Sequence, residues 1–396
     1  EWDSDATGAT STRATIVANA PTATRQTLVS TPDRHLVFFG TETTIGTTST
    51  QDDMFIRWSD QESIDASTSY APSATNTAGT QRLADGTRII AAIRGRDAIY
   101  VWTDHALFIM RFVGAPFVFS FQQVGTGCGL IGKNAAVEVD GSAYWMSENG
   151  FFRYTGKLDS LACLVEDYVY DDINTVPRQH IYAGLNNLFG EVTWFYPGSG
   201  AASNNRSVTY NYMDSTPERP VWTTSTLARS TWSDSHIFGK PHATEYDSSA
   251  TSDTTVGNTD GVTIYYEHET GVNQIKAGAA TAIAASIESG DFDISAVQGG
   301  GADLRGDGEY MMKIRRVLPD FLQQTGDARV TLNLKNYPTD SQASSSLGPF
   351  TSTTSTTKID TRARARAISL KVDNTSTGQH WKLGTFRLDI QADGRR

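Results

Sequence analysis

Ala98-Ile-Tyr-Val-Trp102 passes through Thr103-Asp-His105 into Ala106-Leu-Phe-Ile-Met-Arg-Phe112. Two runs rich in β-branched and aromatic residues, joined by three polar ones, read as a hairpin, because such side chains pack well on a pleated surface. The arrangement recurs on both sides. His35-Leu-Val-Phe-Phe39 precedes Met54-Phe-Ile-Arg-Trp58. Ala143-Tyr-Trp-Met146 turns through Ser-Glu-Asn-Gly into Phe151-Phe-Arg-Tyr154, and Glu191-Val-Thr-Trp-Phe-Tyr196 precedes Ser207-Val-Thr-Tyr-Asn-Tyr212. A degenerate unit follows, His242-Ala-Thr-Glu-Tyr246 and then Val262-Thr-Ile-Tyr-Tyr266.

The later strand of each pair begins near 54, 106, 151, 207 and 262. The step is about 45 to 56 residues, the period of propeller blades. A four-stranded blade cannot bury both faces alone, and radial stacking buries them. The expected fold class is therefore all-β: a β-propeller of five to seven blades, with an additional C-terminal β-sandwich-like domain. A β-sandwich throughout is the alternative, but it needs no 50-residue period. Ala14-Thr-Ile-Val-Ala18 is a candidate strand of a further blade, and the N-terminal part of the propeller is read as open to residues upstream of Glu1.

Around Gly271–Ala285 the aromatic period stops. The propeller is assigned to residues 1–276 and a C-terminal β-rich domain to 277–396. In the second part, strands are expected through Ala277–Ile287, Tyr310–Val317, Ala328–Lys335, Arg364–Val372 and Trp381–Ile390. The stretches Thr41–Asp53, Ser63–Gly79, Asp247–Gly261 and Ser341–Thr357, rich in Ser, Thr and Gly, read as long loops.

The chain has 396 residues, 19% of them charged, and a net charge of −11. Up to Lys276 there are 18 Lys+Arg against 31 Asp+Glu, a balance of −13; beyond it there are 15 against 13, a balance of +2. The acidic majority argues against tight nucleic-acid binding, which needs cations to displace phosphate counterions. It does not argue against a channel through which DNA slides without sticking. Two cysteines, Cys128 and Cys163, make no disulfide framework and no zinc motif, and read as small buried hydrophobes. No apolar run reaches the roughly 20 residues that span a bilayer, so no stable membrane insertion is expected.

Gly127-Cys-Gly-Leu-Ile-Gly-Lys133 matches the spacing of a phosphate-binding loop, but Asn134 follows where Ser or Thr belongs. The segment beyond it reads as a strand, so the glycines are assigned to a tight connection between blades. His268-Glu269 begins like a zinc-protease motif, but Val272 occupies the second histidine's place. Pro197-Gly-Ser-Gly200 lacks the first glycine of a nucleophile elbow, and Asp253–Asp260 lacks the ligand order of a calcium loop. Asp52-Asp53 and Asp171-Asp172 are carboxylate pairs that read as solvated turns. No catalytic, cofactor-binding or metal-ligating residue is assigned, and the chain is expected to be no enzyme. Arg362, Arg364 and Arg366, spaced by two, are expected on one face of one strand as candidate subunit-docking residues.

An ordered series of segments resembles a known family. It includes Phe55-Ile-Arg-Trp-Ser-Asp-Gln61, Asn76-Thr-Ala-Gly79, Thr103-Asp-His-Ala-Leu107 and Phe112-Val-Gly-Ala-Pro-Phe-Val-Phe119. It continues with Val137-Glu-Val-Asp-Gly141, Tyr144-Trp-Met146, Phe151-Phe-Arg-Tyr-Thr-Gly156, Val165-Glu-Asp-Tyr-Val169, Glu191-Val-Thr-Trp-Phe-Tyr-Pro197, Trp381-Lys-Leu-Gly-Thr-Phe-Arg-Leu-Asp389 and Asp393-Gly-Arg395. The series resembles the tail nozzle, or tail hub (tail stabilisation), proteins of short-tailed bacteriophages (podophages). The likeness is weakest over Ser225–Gly261 and Leu304–Thr361. It implies a homohexameric ring at the distal tip of the virion tail, assembled in the bacterial host cytoplasm, with residues 277–396 as a platform or docking domain. The implied partners are tail adaptor or tube proteins, tail fibres or tailspikes, and a plug or needle. Viral DNA would pass through without specific contact, and the family brings no cofactor. The alternatives are another head-to-tail ring protein and an adhesin-like glycan-binding or glycan-cleaving propeller, with Trp102, Trp145 and Trp194 as faces for stacking sugars.

Overall fold

The computed structural model describes residues 17, 19–31, 33–64, 66–234, 237–247, 261–276, 278–294, 310–337 and 345–394. The chain is nearly all β and divides into two compact units, Glu1–Glu269 and Thr270–Arg396.

The first unit is a series of antiparallel meanders in chain order. The first blade is β1 (Gln26–Ser30), β2 (His35–Phe39), β3 (Phe55–Trp58) and β4 (Gly79–Arg82). The second is β5 (Ile89–Arg94), β6 (Ile99–Thr103), β7 (Ala106–Gly114) and β8 (Val118–Thr126). The third is β9 (Ala136–Val139), β10 (Ser142–Ser147), β11 (Gly150–Tyr154) and β12 (Leu158–Leu161). A short helix, α1 (Glu166–Asp172), leads to the fourth: β13 (Tyr182–Asn186), β14 (Glu191–Tyr196), β15 (Arg206–Asn211) and β16 (Trp222–Ser225). The fifth contains β17 (Thr231–Ser233), β18 (His242–Asp247) and β19 (Val262–Glu267). The aromatic pairs in the sequence are the second and third strands of each blade. In the first four blades these middle strands are largely covered on both faces, so their apolar residues run nearly continuously, as in the all-buried β6, whereas Tyr246 and Tyr265 of the fifth blade are exposed.

Neighbouring blades meet through their first strands: β1 against β5, β5 against β9, β9 against β13, and β13 against β17. These innermost strands converge and must be slim. They carry Ala91 and Ala92, Ala136, and Ala183 with Gly184. A Cβ at Gly184 would lie 2.6 Å from the Trp232 ring. The Gln26 side chain also clasps the second blade, donating to Ala92 O at 2.6 Å and accepting the Ala92 N–H at 2.8 Å.

Trp102, Trp145 and Trp194 sit on the second strands of blades two, three and four, each fully buried. The Trp145 indole N–H donates to Cys128 O at 2.7 Å, and that of Trp194 to Ala135 O at 3.0 Å. Both carbonyls belong to the connection between β8 and β9. These indoles therefore fill the core and tie a blade to a connecting segment. Trp232 does the same for the fifth blade, donating to Leu185 O of β13 at 2.8 Å.

The second unit packs two sheets face to face. One has the order β22 (Ala285–Glu288), β28 (Ala367–Asn374), β25 (Ala328–Lys335), β26 (Ser345–Ser352). The other is β27 (Ile359–Ala365), β23 (Met312–Leu318), β30 (Arg387–Ala392). Strands β25 and β26 touch β27, and Met312, Ile314, Val330, Leu332, Ala363 and Ile368 fill the space between. Two small ribbons accompany them: β20 (Asn273–Lys276) with β21 (Ala279–Ala282), and β24 (Phe321–Thr325) with β29 (His380–Leu383).

Several boundaries differ from expectation. The strand expected over Arg364–Val372 is two strands in different sheets, β27 and β28, hinged at Arg366. Odd residues face the core in β27 (Ile359, Ala363, Ala365), and even ones in β28 (Ile368, Val372). A one-residue slip inverts the inward face, and here it carries the chain from one layer of the sandwich to the other. The segment Trp381–Ile390 likewise breaks into β29 and β30. Part of the expected loop Ser341–Thr357 is strand β26, which pairs with β25. Most of Ala14–Ala18 and of Asp247–Gly261 lies outside the described residues.

Candidate functional site

Arg362 and Arg364 alternate with the buried Ala363 and Ala365, and both point out from β27. Arg366 leaves that row at the hinge, where its N–H donates to Lys335 O at 3.2 Å. The expected stripe of three is thus a pair plus a corner residue, because the sheet change falls at the third arginine. Arg364 is engaged within the chain, its Nε meeting Asp393 at 2.6 Å. Arg362 meets no acid among the described residues.

A second surface feature is apolar. Turns at the same end of three blades, between first and second or third and fourth strands, expose large hydrophobic side chains. Phe112, Val113 and Phe117 flank the β7–β8 turn, with Phe117 77% exposed. Leu188 and Phe189 sit between β13 and β14, and Met213 lies beside them after β15. Ile237, 89% exposed, and Phe238 lie between β17 and β18. Nothing in the sequence marks these residues as a surface, since an apolar residue in a turn looks like the end of a strand.

Buried polar clusters hold the loops of the first blade. Arg57 on β3 donates to Tyr70 O at 2.9 Å and Thr43 O at 2.8 Å, joining the two long Ser/Thr-rich loops. Burial pulls its pKa down, with Glu42 opposing. Glu42 is itself buried and accepts from Thr22 N–H and Oγ1, each at 3.0 Å, and from Gly46 N–H at 2.6 Å. Burial pushes that carboxyl up, but these hydrogen bonds outweigh it and leave the pKa lowered.

Beside them, Asp33 Oδ2 meets His35 Nδ1 at 2.9 Å, and His35 Nε2 meets Thr77 Oγ1 at 3.2 Å. The order Asp, His, hydroxyl has the outline of a nucleophile relay. Thr77 is committed otherwise. Its hydroxyl donates to Asp60 Oδ1 at 2.6 Å and accepts the Gln61 N–H at 2.9 Å. It anchors a loop, and its proton already has an acceptor. The adjoining cavity, bordered by Ser30, Asp33, Arg94 and Phe112, holds about 50 Å³, room for a water or two and not for a sugar ring.

In the fifth blade the buried Arg229 donates to His268 Nε2 at 2.9 Å, reaches Glu245 at 3.4 Å and lies 4.0 Å over the Tyr266 ring. Burial, then Arg229 and His242, push His268 down to about 4. Neutral imidazole accepting from a guanidinium is a structural pairing, and it accounts for the His268-Glu269 motif.

The remaining motifs resolve as follows. The phosphate-loop look-alike is packed backbone: the N–H groups of Cys128, Leu130 and Ile131 donate to His105 O, Thr103 O and Met146 O. A Cβ on Gly129 would stand 2.1 Å from Asp104 O. Strand β9 follows it, not a helix. Cys128 and Cys163 are free thiols, the first buried and the second half-buried, with burial raising Cys163 to about 11. Asp52 and Asp53 pair with Arg82 at 2.7 Å and Arg25 at 3.0 Å. Asp172 pairs with Arg206 at 3.0 Å, leaving Asp171 exposed. Among the described residues no three His, Cys, Asp or Glu side chains are grouped to hold a metal. Asp253–Asp260 lies outside the described residues. Trp102, Trp145 and Trp194 present no face to a sugar.

No model of a protein family matches the sequence, and no curated protein does. Among solved structures, the chain is similar to the exo-β-1,3-galactanase of Phanerochaete chrysosporium crystallised with galactose, at a TM-score of 0.26 and 9% identity over 85% of this chain and 92% of that one. The sequence reading took the chain to be no enzyme; the aligned structure is that of an enzyme, and that reading is withdrawn.

Proposed function

We propose that this chain is a structural subunit of a phage virion, which assembles with copies of itself into the nozzle ring at the distal end of a short tail. The observation that carries this reading is the repeated exposure of large apolar side chains on turns at one end of the blades: Phe117, Leu188, Phe189, Met213, Ile237 and Phe238. Exposed apolar clusters of that kind mark contact surfaces. The ordered resemblance of segments such as Phe112–Phe119 to podophage nozzle proteins supports it. Stacked blades with slim inner strands make a stiff wall, and an acidic chain does not grip a passing polyanion. Tail tube or adaptor proteins, fibres and a plug are the partners this reading brings with it.

Negative-stain images of the purified chain, and antibody labelling of virions, test the reading. Rings with a central hole and label at the tail tip are expected. A stable monomer absent from virions overturns it. The galactanase comparison brings up a second reading, a propeller that binds or cleaves a glycan. Saturable release of reducing sugar from a β-1,3-galactan, abolished by Asp171→Asn, would put that reading first.

A further inference from the structure

The outer face of the sheet β27-β23-β30 is a concentrated cationic surface. Alternation that buries Met312, Ile314 and Val317 turns Lys313 and Arg316 outward, beside Arg362 and Arg364 on β27 and Arg387 on β30. Arg315 joins them at the bulge, where the register shifts between Ile314 and Arg316. Two of the six are answered locally: Arg316 by Asp360 at 2.8 Å, with Asp389 opposite it in the ladder, and Arg364 by Asp393 at 2.6 Å. Lys313, Arg315, Arg362 and Arg387 meet no acid among the described residues. Lys313 moreover stands directly opposite Arg364 in the ladder. Like charges placed opposite one another destabilise a sheet. A surface that retains such a pair, and leaves four cations unanswered, is suited to an acidic partner.

We infer that this face docks on the propeller unit of a second copy of the chain, a contact that rests on the ring reading above. The charge balance supplies the argument. Residues 1–269 hold 17 Lys+Arg and 31 Asp+Glu, a balance of −14; residues 270–396 hold 16 and 13, a balance of +3. Each copy thus carries both halves of an electrostatic match. The acidic half has a suitable projection at α1. Asp167 and Asp171 are four apart on one helical face, both exposed and without a cation among the described residues. Leu164, Tyr168 and Val176 are exposed next to them, as Leu318 and Leu322 are on and next to the cationic sheet. A basic face on one unit meeting an acidic face on the other is a heterologous contact, which closes into a ring when the rotation allows. Nucleic acid is the poorer occupant, since a duplex would have to approach a chain of net charge −11.

The full chain is studied by light scattering after size exclusion, with Arg362→Glu/Arg387→Glu, Asp167→Lys/Asp171→Lys and the four-fold combination. All these side chains are exposed, and circular dichroism checks each fold. The wild type is expected to assemble at about 0.05 M salt and to dissociate toward 1 M as the charges are screened. Each double reversal should weaken self-association about tenfold or more, and the combination should recover most of the loss. A wild type that is monomeric at low salt sinks the ring reading and this contact with it. A wild type that assembles while either double reversal leaves it unchanged, or while the combination recovers nothing, overturns this contact alone. Binding of a fluorescent DNA duplex that Arg362→Glu/Arg387→Glu abolishes also overturns it, by giving the face to a polyanion.

Discussion

The propeller unit buries tryptophan on four successive blades, whereas the described core of the C-terminal unit holds Met, Ile, Val, Leu and Ala and no tryptophan. The difference lies in what each core must join. Blades are separate sheets, and an indole can fill the gap between two of them while its N–H reaches a carbonyl beyond, as Trp194 does with Ala135. The two layers of the sandwich are joined by the chain itself at Arg366, and simple interlocking of aliphatic side chains fills the rest. Polar side chains are also buried unevenly. The propeller sinks Arg57, Arg229, Glu42 and His35, while every described arginine of the C-terminal unit is exposed or half-buried.

The largest test of this contrast is Trp194→Ala. It should lower the stability of the propeller unit by about 4 kcal/mol, the usual loss for a buried tryptophan. Calorimetry should show the propeller transition moving down while that of the C-terminal unit stays. Equal shifts in both would mean the two units melt together, and would break the comparison. Leu332→Ala is the reciprocal experiment, at about 3 kcal/mol, with the shift confined to the C-terminal transition.

A finer test lies within the propeller. Trp102 occupies the same strand position as Trp145, but its buried indole N–H has no partner among the described residues. Trp145→Phe breaks a bond to Cys128 O, and Trp102→Phe breaks none. The first should cost about 1 kcal/mol more than the second in urea unfolding. Equal costs would mean the indole bonds contribute only bulk.

The last test concerns pH, and its size grows with how far the pH is lowered. His268 is held down to about 4 by burial, Arg229 and His242, below the ordinary histidine value of 6.5. The folded form resists a proton that the unfolded form takes up. The propeller unit therefore loses stability as pH falls from 6.5 through about 4. Over that range His268→Asn should have a flatter stability profile than the wild type. Parallel profiles would assign the decline to other groups.

The middle strands of the first four blades were readable in the sequence because burial on both faces forces near-continuous apolar, aromatic runs such as Ile99–Thr103, and the more exposed β18 and β19 of the fifth blade showed only as a degenerate unit. The inner and outer strands were not. Ala136–Val139 and Tyr182–Asn186 are short and small because they crowd together at the inner side, and Gly79–Arg82 is a polar edge. None of these has a periodicity that outweighs its brevity. Of the three arginines picked for docking, two were placed correctly by alternation. The third was misplaced because the slip is marked only by Ala367-Ile368, two apolar residues in succession. Lys313, Arg315 and Arg387 escaped notice altogether, since they join Arg362 only through pairing across distant strands.

The slip at Arg366 bears on which sequence changes a lineage can survive. Losing or gaining one codon within 359–365 or 367–374 would turn aliphatic residues toward water for the rest of that strand. At the corner the same event only alters how the polypeptide swings between layers. Natural length variation in this stretch should therefore gather at position 366 and its immediate neighbours.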